Sequence, residues 1–152
     1  GADRAILHQL AHQLTHMIDQ DGLRERVVIT SSHTGFLRMV ATMAPHLERG
    51  YVSEYRYQQP TRRAAALGCR WLMPHHSLVS PRLMRSARRR GLKVSTWTVN
   101  DLNEAERLAR LGVDGIITDF PTSFLAHFRG KDQRQMAAPA AQAELDPSLR
   151  DP

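Results

Sequence analysis

The feature that most restricts the fold is a regular alternation of short apolar segments with amphipathic ones. Successive strand-like segments start about 18–24 residues apart, which leaves room for one helix between each pair. Strands joined by helical crossovers pair in parallel, so the predicted class is α/β with a parallel sheet. The predicted strands are Val27–Thr30, Tyr51–Tyr55, Cys69–Met73, Lys93–Val99 and Gly115–Thr118.

Capping residues mark several predicted helices. Ser80 followed by Pro81 predicts a helix start, because Ser caps well and Pro suits the first helical position. Asn100 and Asp101 predict the cap of a later helix. A first amphipathic helix is predicted over 2–19. Its apolar side chains recur every three or four residues: Ile6, Leu7, Leu10, Leu14, Met17 and Ile18.

No glycine-rich phosphate loop of the dinucleotide or P-loop type follows any predicted strand. The pattern therefore favours a barrel, or part of one, in which active sites lie at the carboxyl ends of the strands. Composition changes near Gly130, where apolar periodicity gives way to Ala, Gln, Pro and mixed charges. We expect one domain over 1–129 and a disordered tail over 130–152.

Composition excludes several classes of protein. No run of 18 apolar residues occurs, so no transmembrane segment is predicted. Cys69 is the only cysteine, which rules out an internal disulfide and favours a buried, unreactive thiol. The formal charge is +6, and the densest basic run is Arg85, Arg88, Arg89 and Arg90. We interpret that run as a solvated helix face and predict no nucleic-acid partner.

The segment 94–101 combines polar and aromatic side chains at the end of a predicted strand. Trp97, Asn100 and Asp101 would reach the rim where a parallel barrel builds its active site. Trp97 either contacts an apolar part of a ligand or fills the barrel. Asn100 either contacts a ligand or caps the next helix, and the residue types alone do not separate these alternatives.

Two histidine groups have spacings that a metal site could use. His8, His12 and His16 repeat every four residues, but they project away from the apolar stripe and are interpreted as a solvated face. His75 and His76 follow a predicted strand and could lie on the functional rim. Adjacent side chains usually diverge, however, and no carboxylate pair accompanies them.

Two segments resemble the C-terminal signature of glycerophosphodiester phosphodiesterases. They are Trp97-Thr98-Val99-Asn100 and the run Gly112–Asp119 followed by Pro121. Upstream, Val28–Ser32 resembles the strand of that family that ends in Ser-Phe, and the resemblance covers about residues 5–128. It implies the C-terminal part of a TIM (β/α)8 barrel of the PLC-like phosphodiesterase type, incomplete in this chain.

The resemblance also implies a function in lipid and glycerol metabolism. Members hydrolyse a small-molecule glycerophosphodiester, such as glycerophosphocholine, to glycerol 3-phosphate and an alcohol. They use two histidines and a divalent cation, Ca²⁺ or Mg²⁺, held by carboxylates. Here it implies a substrate-side wall, with Trp97, Asn100 and His33 as substrate-binding residues. His33 stands where the family has Phe.

The chain departs from the family pattern in its catalytic motifs. It has no His-Arg-Gly triplet, and its only Glu-x-Asp-like run, Glu144-Leu145-Asp146, lies in the predicted tail. We therefore expect that the N-terminal half of the barrel is missing, that no catalytic residue or metal ligand lies in this chain, and that the chain alone is inactive. A cytoplasmic location is expected. The alternative is a non-catalytic half-barrel that binds a phosphorylated ligand or a partner chain.

Overall fold

A computed structural model describes residues 2–130 as five strands and six helices, with two short 3₁₀ turns at Arg56–Gln58 and His76–Leu78. The strands are β1 (Val28–Ser31), β2 (Glu48–Ser53), β3 (Trp71–Pro74), β4 (Lys93–Thr96) and β5 (Gly115–Ile116). The helices are α1 (Ala2–Gln20), α2 (Thr34–Met43), α3 (Pro60–Ala66), α4 (Pro81–Arg88), α5 (Leu102–Leu111) and α6 over 121–130.

The five strands form one parallel sheet in the order β1-β2-β3-β4-β5. A helix follows every strand, which confirms the predicted class. Tyr51 lies opposite Leu72, and Leu72 lies opposite Val94. All three side chains are at most 1% exposed, because α3 and α4 cover this face of the sheet. The core of the sheet therefore lies on its helical side.

The first helix buries only some of its apolar side chains. Ala11 and Ile18 belong to one buried cluster with Phe36 and Val40 of α2. In contrast, the side chains of Ile6, Leu10 and Met17 are 63%, 50% and 53% exposed. The predicted helix is present, but only part of its apolar stripe is buried in the core.

The helix caps predicted from the sequence agree well with the structure, whereas the predicted strand bounds agree less well. The Ser80 hydroxyl accepts the N–H of Leu83, as predicted for the start of α4. The second strand begins at Glu48, three residues before the predicted start. The reason is Arg49, a charged residue within the strand that is buried because its guanidinium donates to the carbonyls of Leu47 and Gly68 at 3.0 and 3.1 Å.

The last strands are shorter than predicted. Regular pairing in β4 ends at Thr96, and Trp97 forms only an isolated bridge with His75. Residues up to Thr118 form one compact unit, and α6 belongs to a second unit that begins at Asp119. Gly130 is the last residue of α6, and the remainder of the predicted tail, 131–152, lies outside the described residues. Among the helices in 2–130, none has the length and hydropathy needed to cross a membrane.

Candidate functional site

The carboxyl ends of the parallel strands lie along one edge of the sheet. Successive side chains of a strand point to opposite faces. His75 and Trp97 bridge β3 and β4 in register and share the face that does not carry Leu72 and Val94. Both side chains are half-buried, so they are packed and yet remain accessible at this edge. We call this pair the rim pair.

The indole of Trp97 is held by the neighbouring strand. Its Nε1–H donates to the carbonyl oxygen of Met73 at 2.9 Å. Its ring meets that of His75 edge-on, with the centroids 5.4 Å apart and the planes at 87°. Trp97 is thus neither fully buried nor free to rotate, and it presents a fixed aromatic surface at the rim.

A neighbouring backbone group orients His75. The N–H of Ser77 donates to Nδ1 at 3.3 Å, and the Ser77 hydroxyl lies 2.9 Å from the same atom. Because a backbone N–H can only donate, Nδ1 acts as the acceptor, and the neutral ring carries its proton on Nε2. His75 therefore offers one hydrogen-bond donor beside Trp97.

The adjacent histidine belongs to a different group of side chains. His76 Nδ1 lies 3.1 Å from Glu104 Oε1, and Arg107 donates to both oxygens of Glu104 at 2.7 Å. The paired Arg107 guanidinium holds the pKa of Glu104 down at about 2, with a further contribution from His76. Arg107 also donates to the carbonyl of Val79 at 3.3 Å. This cluster fastens α5 to the segment after β3 and keeps Glu104 ionised.

Asn100 and Asp101 have separate roles. The cap of α5 is Asp101, whose carboxylate accepts the N–H of Glu104 at 2.8 Å. The amide oxygen of Asn100 instead accepts the hydroxyl hydrogen of Thr118 at 3.2 Å. Asn100 therefore links the segments that follow β4 and β5, and it stays exposed at the rim.

His33 does not lie beside the rim pair. It is exposed, and its Nδ1 accepts the N–H of Phe36 at 3.0 Å, which caps α2. The strand before His33 is β1, and β2 and β3 separate it from β4. That spacing amounts to about 14 Å across the sheet. Of the three predicted substrate-binding residues, Trp97 and Asn100 follow the same strand and His33 stands apart.

The described residues do not by themselves fit a divalent cation. Within 2–130, no group of three or more His, Cys, Asp or Glu side chains is placed to hold a metal ion. His8, His12 and His16 are all exposed, and the rings of His12 and His16 stack 6.2 Å apart. A cation of the kind predicted would need carboxylates beyond these residues.

Sequence reasoning missed Glu104 and Arg107. Both lie on α5, where a Glu three residues before an Arg is usually a surface pair. The useful signal was Asp101-Leu102-Asn103-Glu104, which has the spacing of a capping box and places Glu104 in the first turn of the helix.

A family model and a related protein sequence both match this chain and point to the same family. The model of the glycerophosphoryl diester phosphodiesterase family matches residues 2–123. A glycerophosphodiester phosphodiesterase from Caldanaerobacter subterraneus subsp. tengcongensis is 33% identical over 116 residues, which are 76% of this chain and 48% of that protein.

Two solved structures resemble the fold. A structure from Silicibacter pomeroyi DSS-3 described under the same family name has a TM-score of 0.73 and 29% identity, covering 77% of this chain and 42% of that one. A phosphodiesterase from Oleispira antarctica was solved with the product sn-glycerol 3-phosphate. It has a TM-score of 0.62 and 24% identity, and the match covers 67% of this chain and 41% of that one.

These matches identify the family and show how much of each relative the chain covers. The chain spans about half the length of the curated relative and of the two solved proteins. Its five-stranded parallel sheet corresponds to part of their TIM barrel. The chain belongs to the glycerophosphoryl diester phosphodiesterase family, whose members are phosphodiester hydrolases.

Proposed function

We propose that this chain supplies the substrate-side wall of a glycerophosphodiester phosphodiesterase. The observation that carries the proposal is the rim pair, in which Trp97 is fixed by Met73 and His75 is fixed by Ser77. A fixed indole provides apolar surface for a glycerol or alcohol group. The Nε2–H of His75 provides a donor for a phosphate oxygen beside it.

Hydrolysis would need groups from a complementary half-barrel. General acid–base catalysis requires side chains positioned at the reacting atoms, and the family's histidine motif is absent from the sequence. The carboxylates for a divalent cation would come from the same half. We propose that Asn100 positions the rim loops through Thr118, while His33 serves the more distant end of the wall.

The exposed edge of β1 offers a place for that half. A cavity of about 460 Å³ beside β1 is lined mainly by apolar residues, among them Leu7, Leu10, Leu14 and Val28. The half-exposed Leu10 suits burial under a further strand or helix. Since the chain spans about half of its relatives, we propose that the preceding strand and helix of the same barrel occupy this groove.

A chimera tests the proposal. Residues 2–128 would replace the matching half of the Caldanaerobacter relative, and release of glycerol 3-phosphate from glycerophosphocholine would be measured with Mg²⁺ or Ca²⁺. We expect hydrolysis that a chelator abolishes, and no hydrolysis by the 152-residue chain alone. A folded chimera without activity, or turnover by the isolated chain, would contradict the proposal.

Substitutions in the chimera test the wall itself. Trp97→Ala should lower kcat/KM about tenfold, equivalent to about 1.4 kcal/mol, with little change in Tm. Trp97→Phe is the comparison variant, because it keeps an aromatic surface, although a smaller one, and removes the hydrogen bond to Met73. If Trp97→Ala instead lowers stability by about 3–5 kcal/mol and the folded fraction keeps normal activity, Trp97 is a core residue and the wall is wrong.

A further inference from the structure

A second cavity lies between α3 and α4, away from the rim pair. Its volume is about 490 Å³, and its wall combines the start of α3 and the segment before it with residues along α4. The rim pair lies on the sheet, on the face that α3 and α4 do not cover. We call this space the α3–α4 cavity, and the proposed phosphodiesterase site makes no use of it.

Four guanidinium groups surround the cavity. Arg56 and Arg62 line it from the α3 side, and Arg82 and Arg90 line it from the α4 side. Among residues 2–130, no acidic side chain contributes to its lining. No ion pair found within residues 2–130 neutralises any of the four arginines. Converging positive charges without a counter-charge favour an anion at this position.

The cavity also presents oriented hydroxyl groups. The hydroxyls of Thr61 and Ser86 lie 2.9 Å apart and join α3 to α4. Arg90 donates to the Ser86 hydroxyl at 2.9 Å and to its carbonyl oxygen at 3.1 Å, so its guanidinium is held at the cavity wall. The Thr61–Ser86 hydrogen bond uses one of the two hydroxyl hydrogens and leaves the other available. A preorganised guanidinium beside such a hydroxyl group matches the tetrahedral oxygens of a phosphate group.

The lining discriminates among anionic ligands. No aromatic side chain from the described part of the chain lines the cavity, so these residues offer no surface on which a nucleic-acid base could stack. Its volume lies within the range of small-molecule sites. We infer that the α3–α4 cavity binds the phosphate group of a small phosphate ester, either a free metabolite or the headgroup of a lipid.

Inorganic pyrophosphate is a suitable first probe for the unmodified 152-residue chain. In a titration followed by NMR, the backbone amide signals of Thr61, Arg82 and Leu83 should shift with pyrophosphate. The indole N–H signal of Trp97 should stay in place, because it lies at the rim. Shifts confined to Trp97 and His75, or no shifts at millimolar pyrophosphate, would overturn the inference. This readout is independent of whether the proposed phosphodiesterase function is correct.

Charge reversals in α4 and the two residues after it provide a matched comparison. The double variant Arg82→Glu/Arg90→Glu alters the cavity, whereas Arg85→Glu/Arg89→Glu alters exposed positions of the same basic segment outside it. Each reversal removes two units of charge, so both variants fall from +6 to +2. The first should weaken pyrophosphate binding about tenfold or more, and the second less than about threefold. Equal weakening would mean nonspecific attraction and would overturn the inference.

Vesicles distinguish the two sources of phosphate. Binding to phosphatidylcholine vesicles that contain phosphatidate, but not to pure phosphatidylcholine, would identify a lipid headgroup if the Arg82/Arg90 variant loses it. Pyrophosphate binding without vesicle binding would identify a free phosphate ester. Binding only to a single-stranded RNA oligonucleotide would replace the inference with a nucleic-acid surface.

Discussion

Replacing Glu104 by Gln should destabilise the chain in a pH-dependent way. Glu104 accepts two hydrogen bonds from Arg107 and lies beside His76, and its pKa falls from 4.5 to about 2. At about 1.4 kcal/mol per pH unit, this difference sets an upper limit of about 3.5 kcal/mol on the stabilisation. The Glu104 side chain is 25% exposed and that of Arg107 41%, so screening reduces the expected value to about 1–2 kcal/mol.

The sign of the pH dependence follows from the lowered pKa. Stabilisation by ionised Glu104 is fully present above its unfolded pKa of about 4.5, and it is lost as the pH falls towards about 2. Urea unfolding of the parent chain and of Glu104→Gln should therefore differ by about 1–2 kcal/mol at pH 6 to 7. The difference should shrink steadily below pH 4.5.

Glu25→Gln is the matched control. Glu25 is exposed and has no ion pair within the described part of the chain, so its substitution should change the unfolding free energy by less than about 0.5 kcal/mol at any pH. A Glu104→Gln effect that stays constant down to pH 3, or that is as small as the Glu25→Gln effect, would refute the argument from the Arg107 pair.

Three further measurements test other parts of the structure. Asp101→Ala should lower the unfolding free energy by about 1 kcal/mol through loss of the α5 cap, whereas Asn100→Ala should cost less; equal losses in denaturant titrations would contradict that assignment. Gly50→Val should cost about 1–3 kcal/mol in the same assay, because a Cβ there would lie 3.0 Å from Thr30 Cγ2, and an unchanged midpoint would count against such close packing. Burial raises the pKa of the Cys69 thiol, so labelling by a disulfide reagent should require unfolding, and rapid labelling of the native chain would show otherwise.

Local signals in the sequence were sufficient to predict most of the fold. Ser80 and Pro81 begin α4 and Gly112 ends α5, because these residues have strong preferences at helix ends. The start of β2 was missed because it depends on Arg49, whose burial is possible only where the carbonyl of Gly68, 19 residues away, accepts its guanidinium. Such a distant partner leaves no trace in the local pattern.

The candidate site was less accessible to sequence reasoning. The motif around Trp97 placed the indole at the end of a strand, and the structure has it there. Its pairing with His75 depends on the register between β3 and β4, which sequence patterns do not define. His33 was predicted to bind substrate because of its motif position alone. The order of the strands puts three strand spacings, about 14 Å, between β1, which precedes His33, and β4, which precedes Trp97.

The order of the strands has a consequence for how the chain folds. Consecutive strands begin at residues 28, 48, 71, 93 and 115, so each pairing closes a loop of nearly the same length. The entropy of closing these loops differs by only about 0.1 kcal/mol, and it therefore selects no pairing as the first to form. Side-chain burial therefore decides which pair of strands forms first. Burial is most complete where Tyr51 lies opposite Leu72 between β2 and β3. Folding should start at this central pair and spread outwards, and the two-residue pairing of β5 should be the last to form and the first to open.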